Sequence, residues 1–180
     1  MPTAFTHAFV GACVGLGSPR HLPTGRLAVA AAVLATLPDL DVITFWLGIP
    51  YGDPLGHRGF SHSLLFAALA SLLIAIVFFT SLRLGSRRWW VVLGALFIAG
   101  ASHGLLDACT DAGLGIGFLI PLDDTRYFLP WRPLATSPIG IGAFMKEPAL
   151  SILANELIWV WLPVALATGL LSLVRRLTNR

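Results

Sequence analysis

Apolar residues run through this chain in long blocks, without the regular polar interruptions of a helix that has one wet face. Four blocks, residues 27–49, 62–84, 89–119 and 150–174, each reach the length of about 20 residues that a helix needs to cross a bilayer. A fifth, residues 3–17, is short for a full crossing and predicts a short or tilted helix packed inside the bundle. Residues 120–149 break the pattern, with Pro, Gly and aromatics over a longer span than a tight link needs. Tyr127, Phe128 and Trp131 beside Arg126 and Arg132 suit a segment lying at the headgroup level. The expected fold is all-α: a polytopic membrane bundle of about five transmembrane or membrane-embedded helices, one domain over residues 1–180.

Composition strengthens this reading. The chain is 56% hydrophobic, its mean hydropathy is +0.80 and 12% of it is charged, whereas soluble domains carry about 25% charged residues. The net charge of +3 comes from arginines at the ends of the apolar blocks, which is a topology signal; no basic stripe for nucleic acid is present. Cys13 and Cys109 lack CxxC spacing and read as small buried hydrophobes. The first block has neither the basic start nor the cleavage site of a signal peptide, so it is expected to stay in the mature protein.

If five segments alternate, one side receives Arg20, Arg26, Arg83, Arg87, Arg88, Arg175, Arg176 and Arg180. The other receives Arg58, Arg126, Arg132 and Lys146, diluted by Asp53, Asp123, Asp124 and Glu147. The positive-inside rule puts the first side in the cytoplasm, so the N-terminus and the loops at 50–61 and 120–149 are expected to face outward.

Several polar residues stand where a bilayer should forbid them. A charge in a spanning helix costs at least ~2.5 kcal/mol on insertion scales, so each such group is a functional candidate. His7 lies in the first block; Asp39 and Asp41 follow Pro38 in the second; His57 and His62 stand at the mouth of the third; His103, Asp107 and Asp111 lie in the fourth. Residues 103, 107 and 111 are spaced by four and predict one slowly drifting stripe on a helix face. Asp39 and Asp41 would point about 200° apart on a regular helix, unless the proline distorts the turn, so one is expected at the site and the other as its supporting partner. Under alternation every one of these groups falls in the same half of the membrane.

Neutral imidazole with carboxylate is a ligand set for zinc, manganese or iron, and facing helices can aim such ligands inward. His7, Asp39, His57, His62, His103 and Asp107 are the candidate ligands of one or two divalent ions, zinc first. Asp41 or Asp111 is expected as general base, and Arg58 as a bidentate partner for phosphate oxygens or as an interfacial anchor. Ser61 is expected to cap the third helix.

The ordered set Thr6–His7, PDLD at 38–41, HRGFSHS at 57–63 and SHGLLDACTD at 102–111 resembles the YdjM-like inner-membrane family, described as metal-dependent hydrolases. The resemblance implies a bacterial or archaeal inner membrane, and a metal site lined by His7, Asp39, Asp41, His57, His62, His103 and Asp107, with Asp111 a weaker match. Beyond Pro121 no motif is matched, and substrate determinants are expected there. The resulting expectation is a metal-dependent hydrolase of a lipid or lipid-linked phosphoester at the extracytoplasmic face. The rivals are a metal or proton transporter, which needs a polar path across the membrane that only Asn155 and Glu156 hint at, and a scaffold with a structural metal.

Overall fold

Pro38 shapes the second apolar block. The computed structural model, which describes residues 1–145 and 149–178, runs this block as a helix α2 (Thr24–Thr36), a 3-10 turn at Leu37–Val42 and a short α3 (Ile43–Trp46). Proline has no N–H to donate and tightens the turn around itself. Of the charged residues weighed above, Lys146, Glu147 and Arg180 lie outside the described residues.

Ahead of α2, α1 (Ala4–Leu16) packs so closely that a Cβ on Gly11 would stand 2.4 Å from the Ala31 carbonyl oxygen, and one on Gly15 2.3 Å from the Ala28 Cα. Small residues let membrane helices approach to backbone distance. A 3-10 turn at Phe60–His62 leads into α4 (Leu64–Phe78), and α5 (Arg87–Ala108) follows. Two short helices, α6 (Ile141–Phe144) and α7 (Ala149–Glu156), precede a π turn at Leu157–Trp161 and α8 (Leu162–Thr178). Among the described residues there is no strand, only isolated bridges at Thr110–Leu134 and Ile116–Tyr127.

Three helical rods, Thr24–Trp46, Arg87–Ala108 and Ala149–Thr178, are long and apolar enough to cross a membrane; α1 and α4 are shorter apolar helices. This agrees with about five membrane helices. Leu27, Ala31 and Leu34 of α2 pack with Ala75, Phe79, Trp89, Val92, Leu96 and Ala99 as the apolar core. By contrast α8 leaves its leucines exposed, as expected of a helix whose solvent is lipid.

Two expectations need correction. The block 89–119 is not one helix: α5 stops at Ala108, where the Thr110 hydroxyl donates to the Asp107 carbonyl at 2.6 Å and competes with further helical bonding. Gly113 then takes φ +88° and the chain turns into a loop. The cap of α4 is Ser63, whose Oγ accepts from the Phe66 N–H at 3.0 Å, and not Ser61.

Candidate metal centre

Four pieces of backbone converge at one end of the bundle. They are the first half of α1 carrying His7, the 3-10 turn after α2 carrying Asp39 and Asp41, the 3-10 turn before α4 carrying His62, and the last turns of α5 carrying His103 and Asp107. His7, His103 and Asp107 are fully buried, and His57, Arg58 and His62 nearly so.

One ligand atom each from Asp39, His62, His103 and Asp107 can be chosen so that all lie within 4.8 Å of one another. His103 Nε2 stands 3.4 Å from Asp39 Oδ1, 3.8 Å from Asp107 Oδ2 and 3.0 Å from His62 Nε2. His62 Nε2 is 3.4 Å from Asp107 Oδ2 and 3.8 Å from Asp39 Oδ1. His7 Nε2 approaches Asp107 Oδ1 at 3.4 Å, and its ring stacks on His103 with centroids 3.9 Å apart. Ligands bound at about 2.1 Å around one tetrahedral zinc stand about 3.4 Å from each other. The separations here bracket that value.

Hydrogen bonding fixes which imidazole nitrogens face inward. His103 Nδ1–H donates to the Ala35 carbonyl at 2.7 Å. In a 3-10 turn that carbonyl would be served by the N–H of residue 38, which proline lacks. His62 Nδ1 lies 3.0 Å from Ser61 Oγ and 3.2 Å from Asp41 Oδ2, so it donates outward. Both Nε2 lone pairs are thereby presented to the cluster, the arrangement that supporting partners impose on metal-binding histidines. Both oxygens of Asp39 and of Asp107, and both nitrogens of His7, are buried without a hydrogen-bond partner. Buried polar atoms are almost always paired, and a cation held between these residues would partner the inward-facing atoms of the set. Asp39, Asp41 and Asp107 gather more negative charge than the one close ion pair with Arg58 offsets, which favours a cation among them. The donor set therefore fits a metal.

Asp41 stands apart. Its Oδ1 accepts from His57 Nδ1 at 2.6 Å, and its Oδ2 accepts from Ser61 Oγ at 2.6 Å and the Arg58 N–H at 3.2 Å. Both oxygens are occupied, so a general-base role for Asp41 is not what this geometry offers; it orients His57 and His62. His57 joins Asp41 and His62 in a second group, bonded to the Asp41 carboxylate and with its ring edge-on to that of His62 at 5.5 Å between centroids.

Arg58 is committed to the protein. Its NH1 donates to the carbonyls of Ala112 and Leu114 at 3.1 and 2.8 Å, and its NH2 to Thr110 Oγ1 at 3.1 Å. Only Nε faces Asp107, at 3.6 Å. A bidentate clamp on phosphate would need the nitrogens that already hold the loop. Its backbone has φ +62°, a left-handed conformation that costs a non-glycine residue about 1 kcal/mol or more and that these hydrogen bonds hold in place. Asp111 is exposed beyond the end of α5, where its Oδ1 accepts from Thr136 N–H and Oγ1 at 3.0 and 2.7 Å. It belongs to the loop and not to the cluster. Nothing in the sequence pointed to the Ala35 carbonyl, and Arg126, expected at the headgroup level, instead ties the carbonyls of Tyr51, Asp53, His57 and Gly115 together behind the site.

Comparison with known proteins agrees with the membrane setting. The chain matches the family described as YdjM inner membrane protein over residues 1–178. It is 40% identical over 176 residues to the Escherichia coli (strain K12) inner membrane protein YbcI, covering 98% of this chain and 100% of the relative. No solved structure matches significantly.

Proposed function

Because the chain belongs to the YdjM family of inner-membrane proteins, its buried acids and histidines lie within a membrane bundle, and we propose that they form the metal centre of a membrane-embedded hydrolase. The substrate class is a lipid or lipid-linked ester, most simply a phosphoester, reached at the extracytoplasmic interface. The observation that carries the reading is the set of buried, unpartnered donor atoms at ligand-to-ligand spacing on Asp39, His62, His103 and Asp107, with His7 beside them.

A divalent ion in that site supplies a Lewis acid and lowers the pKa of water toward about 7. The chain's own residues then have distinct tasks. His62 and His103 offer Nε2 because Ser61, Asp41 and the Ala35 carbonyl hold the other nitrogen. Asp39 has the least buried side chain of the four donors, 11% exposed, and with Oδ1 toward the histidines its unpartnered Oδ2 is left to take a proton from water in this reading. Arg58 Nε offsets the charge of Asp107 while its NH1 and NH2 hold the wall at 110–114.

Metal analysis of detergent-purified protein, alongside hydrolysis of a phospholipid panel, tests this for wild type, His62→Ala and Asp107→Ala. Bound metal and turnover present in wild type and lost in both variants are expected. Full occupancy in both variants would remove the site, and metal flux in proteoliposomes without turnover would favour a transporter.

A further inference from the structure

We propose that Glu156, with Trp161, is a positioning residue for this centre: together they grip the first turn of α1 and set where His7 points. The inference rests on the metal reading above. Glu156 is fully buried within the third spanning rod, about fifty residues along the chain from Asp107, the nearest member of the cluster. An acid at such a place is costly unless its oxygens are served. Oε1 accepts from the Thr3 N–H at 2.5 Å, and Oε2 from the Thr3 and Thr6 hydroxyls, both at 2.6 Å. Trp161 Nε1–H donates to the same Thr6 hydroxyl at 2.6 Å. No side chain caps α1 through Thr3, so the carboxylate of Glu156 also provides the negative charge that a helix N-terminus favours.

The π turn makes the grip possible. On an α-helix residues five apart point about 140° away from each other and could not both reach Thr6. Leu157–Trp161 is wound as a π turn, whose i→i+5 repeat brings residue 161 round toward residue 156. Such turns break α-helical bonding, and this one lies where two side chains must share a single hydroxyl.

His7 is the residue after Thr6, and it differs from the other histidines of the region. His57, His62 and His103 each have Nδ1 fixed by a side chain or a carbonyl. Neither nitrogen of His7 has any such partner. Its placement beside Asp107 depends on its stack with His103 and on the position of α1 itself. The Thr3–Thr6–Glu156–Trp161 network supplies through the backbone what the other histidines receive directly.

The test is zinc affinity in detergent, by competition with a chelating dye, for wild type, Glu156→Gln, His7→Ala, the double variant, and Val164→Ala as a packing control on α8. Glu156→Gln places an amide where two hydroxyl protons point, and is expected to weaken zinc binding about 10- to 100-fold, as loss of an orienting partner does. In the His7→Ala background the same change should add nothing, because its effect passes through His7. Val164→Ala should bind as wild type does, even if it melts earlier. Thr6→Val is the milder variant if Glu156→Gln does not fold, with a smaller loss in the same direction. Wild-type affinity in Glu156→Gln, or an equal loss with and without His7, overturns the inference alone. A wild-type protein that holds no metal overturns the metal reading and this inference with it.

Discussion

Asp107 and Glu156 are both fully buried acids on membrane-spanning rods, yet their surroundings are opposite. Glu156 receives three hydrogen bonds at 2.5 to 2.6 Å, two from Thr3 just ahead of α1 and one from Thr6 in its first turn. Asp107 receives none; His7, His62, His103 and Arg58 all stop 3.4 to 3.8 Å short of it. The first pattern is that of a charge kept because it fastens two elements. In the second, every neighbour keeps a common distance from a shared centre, which costs stability unless a cation supplies the missing contacts. Burial alone does not separate the two cases; hydrogen-bond saturation does.

The sharpest way to break that contrast is Asp107→Asn. It removes a charge from the middle of the donor set, so metal affinity is expected to fall at least about 100-fold, beyond the range for orienting residues. The metal-free protein should lose less stability than Glu156→Gln costs, because the Asp107 carboxylate accepts no hydrogen bond and gives up only its longer-range pairing with Arg58 Nε at 3.6 Å. Glu156→Gln should instead lower the melting temperature of the metal-free protein, since it breaks satisfied bonds. If both variants destabilise the metal-free protein equally, Asp107 is a structural acid like Glu156 and the contrast fails.

Asp41 lies between the two extremes, saturated by hydrogen bonds yet touching His57 and His62. Asp41→Asn is expected to lower metal affinity about 10- to 100-fold, the range for partners that orient a ligand; isothermal titration checks it. A loss as deep as that of Asp107→Asn would make Asp41 a ligand and the group of Asp41, His57 and His62 a second metal position. Next in size is Arg58→Lys. It keeps the charge near Asp107 but gives up the planar fork that holds Thr110, Ala112 and Leu114. A loss of about 1–3 kcal/mol in unfolding free energy is expected, with faster amide exchange across residues 110–114.

The helical architecture was legible because the cost of leaving apolar blocks in water, or charges in lipid, acts on whole segments. The same cost picked out His7, Asp39, His62, His103 and Asp107, which the structure brings together. Residues 109–119 misled because GIGFLI remains apolar after the helix has ended; what ends it is a hydroxyl folded back on Asp107 and a glycine at positive φ. The tie of Arg58 to the loop was hidden for a related reason. Its partners are loop carbonyls more than fifty residues away, and main-chain acceptors leave no trace in side-chain spacing. Glu156 was visible as a lone charge in an apolar block, but its tie to Thr3 and Thr6 depends on the π turn, which periodicity does not reveal.

Asp111 gives the smallest expected effect and tests the same contrast from outside the cluster. Spacing by four from His103 and Asp107 would put it on their stripe if α5 continued, but α5 ends at Ala108 and the carboxylate turns to Thr136. Asp111→Ala removes acceptors from two exposed donors that water can serve, so a loss of about 1 kcal/mol or less is expected, with metal content and turnover unchanged. Thr136→Ala should reproduce that stability loss, since its hydroxyl is one of the two donors and also accepts from the Ala112 N–H. Were Asp111→Ala to release the metal while Thr136→Ala did not, the carboxylate would be acting on the centre itself. Saturation by loop donors would then be no guide to which acids of this chain are structural.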